Sequence, residues 1–132
     1  MSYHFTVTLD CTFDEALEKA TAALKEKGLG VLTTINVQNA MKEKLGEDIK
    51  PYTILGACSP SHAFKAIAAE NKIGVMLPCN VLVQENDAGK IEVSIVDPIA
   101  SMSAIENEAL GAVAMEVQQL LKDVADNLAA AA

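Results

Sequence analysis

The chain contains no arginine and no tryptophan, and both absences exclude something. Arginine supplies the planar fork that grips phosphates and carboxylates through two parallel hydrogen bonds. Here all ten basic residues are lysine. Set against 18 acidic residues, they leave a formal net charge of −8. A nucleic-acid binder needs a basic footprint to displace counterions, and the chain has none. An anionic membrane surface would repel the same charge. Aromatic residues make up only 4% of the chain, which leaves few rings on which a base or a sugar could stack. Since 51% of the residues are still hydrophobic, the core must be aliphatic.

Other shortages narrow the class further. There are three cysteines, an odd number with no C-x-x-C spacing, which argues against a disulfide framework and against the usual redox motif. The opening Met-Ser-Tyr-His-Phe-Thr has no basic segment followed by an apolar run. The expected location is therefore cytoplasmic, with the thiols reduced. The longest apolar stretch, Ile73 to Val83, is interrupted by Pro78 and Asn80 and is too short to span a bilayer. Gly28-Leu-Gly30 lacks the third glycine of a phosphate loop and follows a helix rather than a strand. No repeat or linker divides the 132 residues, so residues 1–132 read as one domain, with 129–132 as a frayed tail. Nothing in the sequence calls for a cofactor or a metal.

What is present is a set of short periodic segments. Tyr3, Phe5, Val7 and Leu9 alternate with His4, Thr6 and Thr8, as in a half-buried strand. Thr12 with Glu15 forms a capping box for a helix with the stripe Phe13, Leu17, Ala20 and Leu24. Gly28 closes that helix. Gly30 to Ile35 reads as a second strand. Asn36 caps a short helix that carries Val37, Met41 and Leu45 and closes at Gly46. Tyr52 to Cys58, apolar on both faces, reads as a central strand. Ser59-Pro60 starts a helix whose expected buried face is Ala63, Phe64, Ile67 and Ala68. Val75 to Glu85 is strand-like, with a break at Pro78. Asn86-Asp-Ala-Gly89 is a turn into the strand Lys90 to Val96, which Asp97-Pro98 ends. A last helix is expected from Ser103 to Leu128, with the stripe Ile105, Ala109, Val113, Val117, Leu120, Val124 and Leu128. At this length it would cross the whole domain, which suggests a homodimer contact at its far end. The order β-α-β-α-β-α-β-β-α predicts an α+β fold: a mainly antiparallel or mixed five-stranded sheet with helices packed on one face and a long C-terminal helix.

At Tyr52-Thr-Ile-Leu-Gly-Ala-Cys58-Ser-Pro60, at Gly74-Val-Met-Leu-Pro-Cys79-Asn-Val-Leu-Val83 and at Asp97-Pro98 the chain resembles the family known as domain of unknown function 302. The resemblance covers most of the chain. It implies a compact α+β fold and dimers, and it implies no activity, substrate or cofactor.

The two cysteine segments are also where chemistry is expected. Cys58 ends a strand just before a helix N-terminus, where backbone N–H groups and the helix dipole favour a thiolate. His62 lies in the first turn of that helix. Cys79 and Asn80 open the next strand. If that strand runs antiparallel beside the third, Cys58 and Cys79 become neighbours; if the connection is a parallel crossover, they lie at opposite ends of the sheet. A close pair could exchange with a disulfide, carry sulfur, or hold a soft metal with His62, although zinc normally wants four ligands. Cys58 alone could act as a nucleophile with His62 as base. The competing reading is that both cysteines are small buried hydrophobes. His4 reads as a surface residue, Asp97 as a turn former, and Cys11 carries no assigned role. The expected function is a homodimeric domain that binds a small molecule or a thiol near Cys58, His62, Cys79 and Asn80, without catalysis. Its rivals are a thiol-dependent enzyme using Cys58 and a purely structural interaction domain.

Overall fold

The computed structural model describes residues 2–131. Its elements are β1 (His4–Leu9), α1 (Phe13–Glu26), β2 (Gly30–Asn36), α2 (Val37–Leu45), β3 (Tyr52–Cys58), α3 (Pro60–Ala69), a 3-10 turn (Asn71–Met76), β4 (Cys79–Glu85), β5 (Ile91–Val96), a short α4 (Pro98–Ser101) and α5 (Glu108–Ala130). The strands form one sheet in the order β1-β5-β4-β3-β2, and every neighbouring pair is antiparallel. The expected α+β fold is therefore present in its antiparallel form. β3 is interior, but the midpoint of the sheet is β4, because β2 adds a further strand outside β3.

Local chemistry sets most boundaries. Thr12 Oγ1 accepts from Glu15 N at 3.1 Å while Glu15 Oε1 accepts from Thr12 N at 2.9 Å, the reciprocal box that the spacing predicts. Asn36 caps α2 by accepting from Asn39 N. Gly28 and Gly46 sit at φ +78° and +68°, in the left-handed region that glycine reaches most cheaply at a helix end. Asn86 Oδ1 accepts from both Ala88 N and Lys90 N, which folds the β4–β5 hairpin.

One face of the sheet carries the core. Alternate residues of the strands (Leu9; Leu55 and Ala57; Val81 and Val83; Ile91, Val93 and Ile95) pack under α1 and α5. Ala16, Ala20 and Leu24 of α1 and Leu121, Val124 and Leu128 of α5 close it from above. The opposite face is open, with Thr6 and Ser94 joined side chain to side chain at 2.9 Å. Among the described residues, no helix is long and apolar enough to cross a membrane.

Three expectations are corrected. The buried face of α3 is not Ala63, Phe64, Ile67 and Ala68: Ala66 is the buried residue of that helix, and Phe64 is 76% exposed. The helix leans on α5 through a second small core of Ala66, Ile73, Met102, Leu110 and Ala114, which leaves Phe64 in solvent. The segment before Pro78 is a 3-10 turn rather than a strand, and it buries Ile73. The last helix starts at Glu108, not Ser103. Asp97 first caps the short α4. Asn107 then caps α5, accepting from Leu110 N at 3.1 Å and donating to Ala69 O at 2.8 Å. Ile105 thus lies in the connection and Ala109 is exposed. The 23 residues of α5 span about 34 Å at the usual rise per residue.

Candidate functional site: an apolar cavity at the cysteine segments

The antiparallel pairing of β3 with β4 decides the geometric question raised by the sequence. Ala57 faces Cys79 and Gly56 faces Asn80 across that pair, while Cys58 faces Gly30 of β2. The end of β3 therefore lies beside the start of β4, and the two cysteine segments meet at one end of the sheet. Between them, α3 and α5, the fold leaves an open cavity of about 340 Å³. Cys58, His62 and Cys79 all line it. Asn80 does not. It is exposed and belongs to a broad depression on the open sheet face, together with Tyr52, Ile54 and Leu82.

Each wall has a local cause. Gly56 and Pro78 lie against one another: a Cβ added to Gly56 would sit 2.7 Å from Pro78 Cγ and 2.6 Å from Thr33 Cγ2. This contact seats the start of β4 against β3. β2 pairs Val31 with Ala57 and Thr33 with Gly56, so Leu32 is an extra residue, a bulge. Bulges re-aim side chains, and Leu32 lines the cavity although it is 70% exposed. From above, α5 contributes Val113, Ala114 and Val117, and α3 contributes Ala63, Ala66 and Ile67.

The chemistry of this space is dominated by carbon and sulfur. Met102 adds a third sulfur to those of Cys58 and Cys79. Among the described residues, no buried side-chain nitrogen or oxygen lacks a hydrogen-bond partner, so the interior presents no polar group in want of a complement. Burial, and then the neighbouring Cys58, push the Cys79 thiol up to about 11. Cys79 is therefore a neutral thiol at neutral pH and a poor nucleophile. All three cysteines are free. Cys11 packs against the main core as a partly buried residue. No group of three His, Cys, Asp or Glu side chains among the described residues could hold a metal ion.

Polar groups gather at the edge. Ser59 Oγ lies 2.7 Å from His62 Nδ1, and His62 Nε2 lies 3.2 Å from Glu116 Oε2 on α5. Both ring nitrogens thus face partners other than Cys58. Sequence reasoning singled out His62 but took Ser59 only as a helix cap and passed over Glu116. The Ser-x-x-His spacing was a local signal for the first contact. No local signal exists for the second, because the two residues are 54 positions apart.

Comparison with known proteins agrees with this fold. A crystal structure of an uncharacterised conserved DUF302 protein from Bacillus stearothermophilus is similar to the chain, with a TM-score of 0.89 and 26% sequence identity, over 97% of this chain and 99% of the other. Among curated proteins, none matches. The model of the family described as domain of unknown function DUF302 matches residues 5–128. That match takes in both cysteine segments, the cavity they border and nearly all of α5, and on it the chain belongs to the DUF302 family.

Proposed function

We propose that this domain is a homodimeric small-ligand-binding module whose site is the cavity bordered by Cys58, His62 and Cys79. The observation that carries the reading is the cavity itself. Its volume of about 340 Å³ falls within the range of small-molecule pockets, which are mostly apolar with a few polar groups that fix orientation. Here Ser59, His62 and the Cys58 thiol supply that polar edge. The ligand is small and mainly apolar. A net charge of −8 disfavours strongly anionic ligands.

Ala63 lines the cavity from α3 and is only partly buried, so Ala63→Phe fills the space without disturbing either core. The test is equilibrium binding of indole, a neutral ring of suitable size. Saturable binding by the native chain and its loss in Ala63→Phe are expected; equal binding by both would place indole elsewhere and contradict the reading.

The second copy is supported by large apolar side chains left in solvent, among them Leu32 at the cavity mouth, Phe64, Val75 and Met115. Where such side chains form one patch, they mark an interaction surface. Mass measurement under native conditions is expected to give twice the chain mass of 13.9 kDa, and a monomer at high concentration would remove the dimer from the proposal.

A further inference from the structure

Ser59 occupies the cap position of α3, yet its side chain caps nothing: it makes no hydrogen bond to the first turn. A cap serine ordinarily accepts from one of those backbone amides. Instead its Oγ lies 2.7 Å from His62 Nδ1, and the other ring nitrogen lies 3.2 Å from a carboxylate oxygen of Glu116. The direction of these contacts follows from elementary chemistry. A carboxylate only accepts, so the nitrogen facing it carries the ring proton. In a neutral imidazole Nδ1 is then bare, and the Ser59 hydroxyl donates to it. This is the polarity a hydroxyl nucleophile needs, with a base on its proton and a carboxylate that holds the base in the correct tautomer.

We propose that Ser59, His62 and Glu116 form a nucleophile–base–carboxylate relay that hydrolyses small uncharged esters, with the apolar acyl group of the ester in the cavity. The proposal rests on the binding reading above, because the acyl group must enter that space. Ser59 Oγ attacks the carbonyl carbon, and its proton passes to His62 Nδ1. The carbonyl electron pair moves onto oxygen, where the Ser61 and His62 amides of the uncapped first turn are available as donors. The pair returns, the bond to the alcohol oxygen breaks, and the departing oxygen takes the proton from Nδ1. Water then attacks the acyl carbon in the same way, passing its proton to Nδ1, and Ser59 leaves and recovers a proton. The sum is ester plus water to acid plus alcohol, with no change of oxidation state. Glu116 touches only the imidazole and is a positioning residue.

The experiment uses the full chain with two probes, p-nitrophenyl butyrate for turnover and a monoalkyl fluorophosphonate for labelling, the labelled residue being located by peptide mass. Labelling at Ser59 is expected, and its loss in His62→Gln. Ser59→Ala should lower turnover by at least about 100-fold, the usual scale of a lost nucleophile–base step. Glu116→Gln should lower it by a factor on the order of ten and change its pH profile, which a merely structural contact would not do. Label on Cys58 instead of Ser59, no label at all, or unchanged turnover in Ser59→Ala overturns the relay. Indole binding separates the two levels. If indole binds but no ester is turned over, the relay falls and the binding reading stands; if indole does not bind and no ester is turned over, both fall.

Discussion

Pro78 and Gly56 meet so closely that a single added carbon has no room: a Cβ on Gly56 would lie 2.7 Å from Pro78 Cγ and 2.6 Å from Thr33 Cγ2. Neither neighbour is the free end of a flexible chain. One is a ring atom, the other the methyl of a β-branched residue in β2. Gly56→Ala must therefore push β4 or β2 away from β3. Overpacking of this kind typically costs about 1–3 kcal/mol. Urea denaturation of Gly56→Ala should show a lower midpoint with an unchanged slope, and an unshifted midpoint would mean that the strands part without cost.

The thiol of Cys79 gives the fold a dependence on alkaline pH. Its folded value is pushed up to about 11 from an ordinary 9.0. The folded chain thus holds the proton more tightly than the unfolded chain does. The stabilisation is complete below pH 9 and is lost as pH rises toward 11; over that window it amounts to about 2–3 kcal/mol. Denaturation between pH 8 and pH 11 should show this decline in the native chain and a shallower one in Cys79→Ala, whatever the absolute stability of the variant. Parallel slopes would contradict the burial argument. Alkylation by iodoacetamide at neutral pH should likewise be slower at Cys79 than at free cysteine.

Asn107 joins two elements through one side chain, capping α5 through Leu110 N and reaching Ala69 O at the end of α3. Asn107→Ala loses both bonds and should cost about 1–2 kcal/mol. Asn107→Ser keeps a cap and is too short to reach Ala69 O, without the charge that Asp would set against the nearby Glu70 carboxylate, so its thermal midpoint should fall between those of the native chain and the alanine variant. A serine variant with the native midpoint would show that the bridge to α3 contributes nothing.

What the sequence made legible was mostly local. The Thr12–Glu15 box, the Asn36 cap, the glycine stops at Gly28 and Gly46 and the Asn86–Gly89 turn all depend on residues within a few positions of one another. The α+β class followed from the order of these pieces. The site was legible only in part, because Cys58 and Cys79 share a cavity through a strand pairing that the sequence left open between an antiparallel neighbour and a parallel crossover. Periodicity found the apolar residues of α3 but could not say which of them would be covered; α5 covers Ala66 and leaves Phe64 in solvent. The Leu32 bulge and the Glu116 contact depend on tertiary register and have no local signature. Asn80 was grouped with Cys79 by adjacency, yet successive residues of a strand point to opposite faces, and Asn80 falls on the open one.

The claim on which the functional account turns is that the space beneath Cys58 and Cys79 takes up a small apolar molecule. Met102 lines that cavity and is nearly buried; it also borders a second depression, together with Met115, so Met115 and Met41, neither of which lines the cavity, serve as the controls. Carbon-13 methyl spectra of the methionines, recorded during titration with indole, should show the Met102 signal moving to saturation while Met41 and Met115 stay in place. A Met102 signal that does not move, or moves no more than that of Met41 or Met115, would contradict the account.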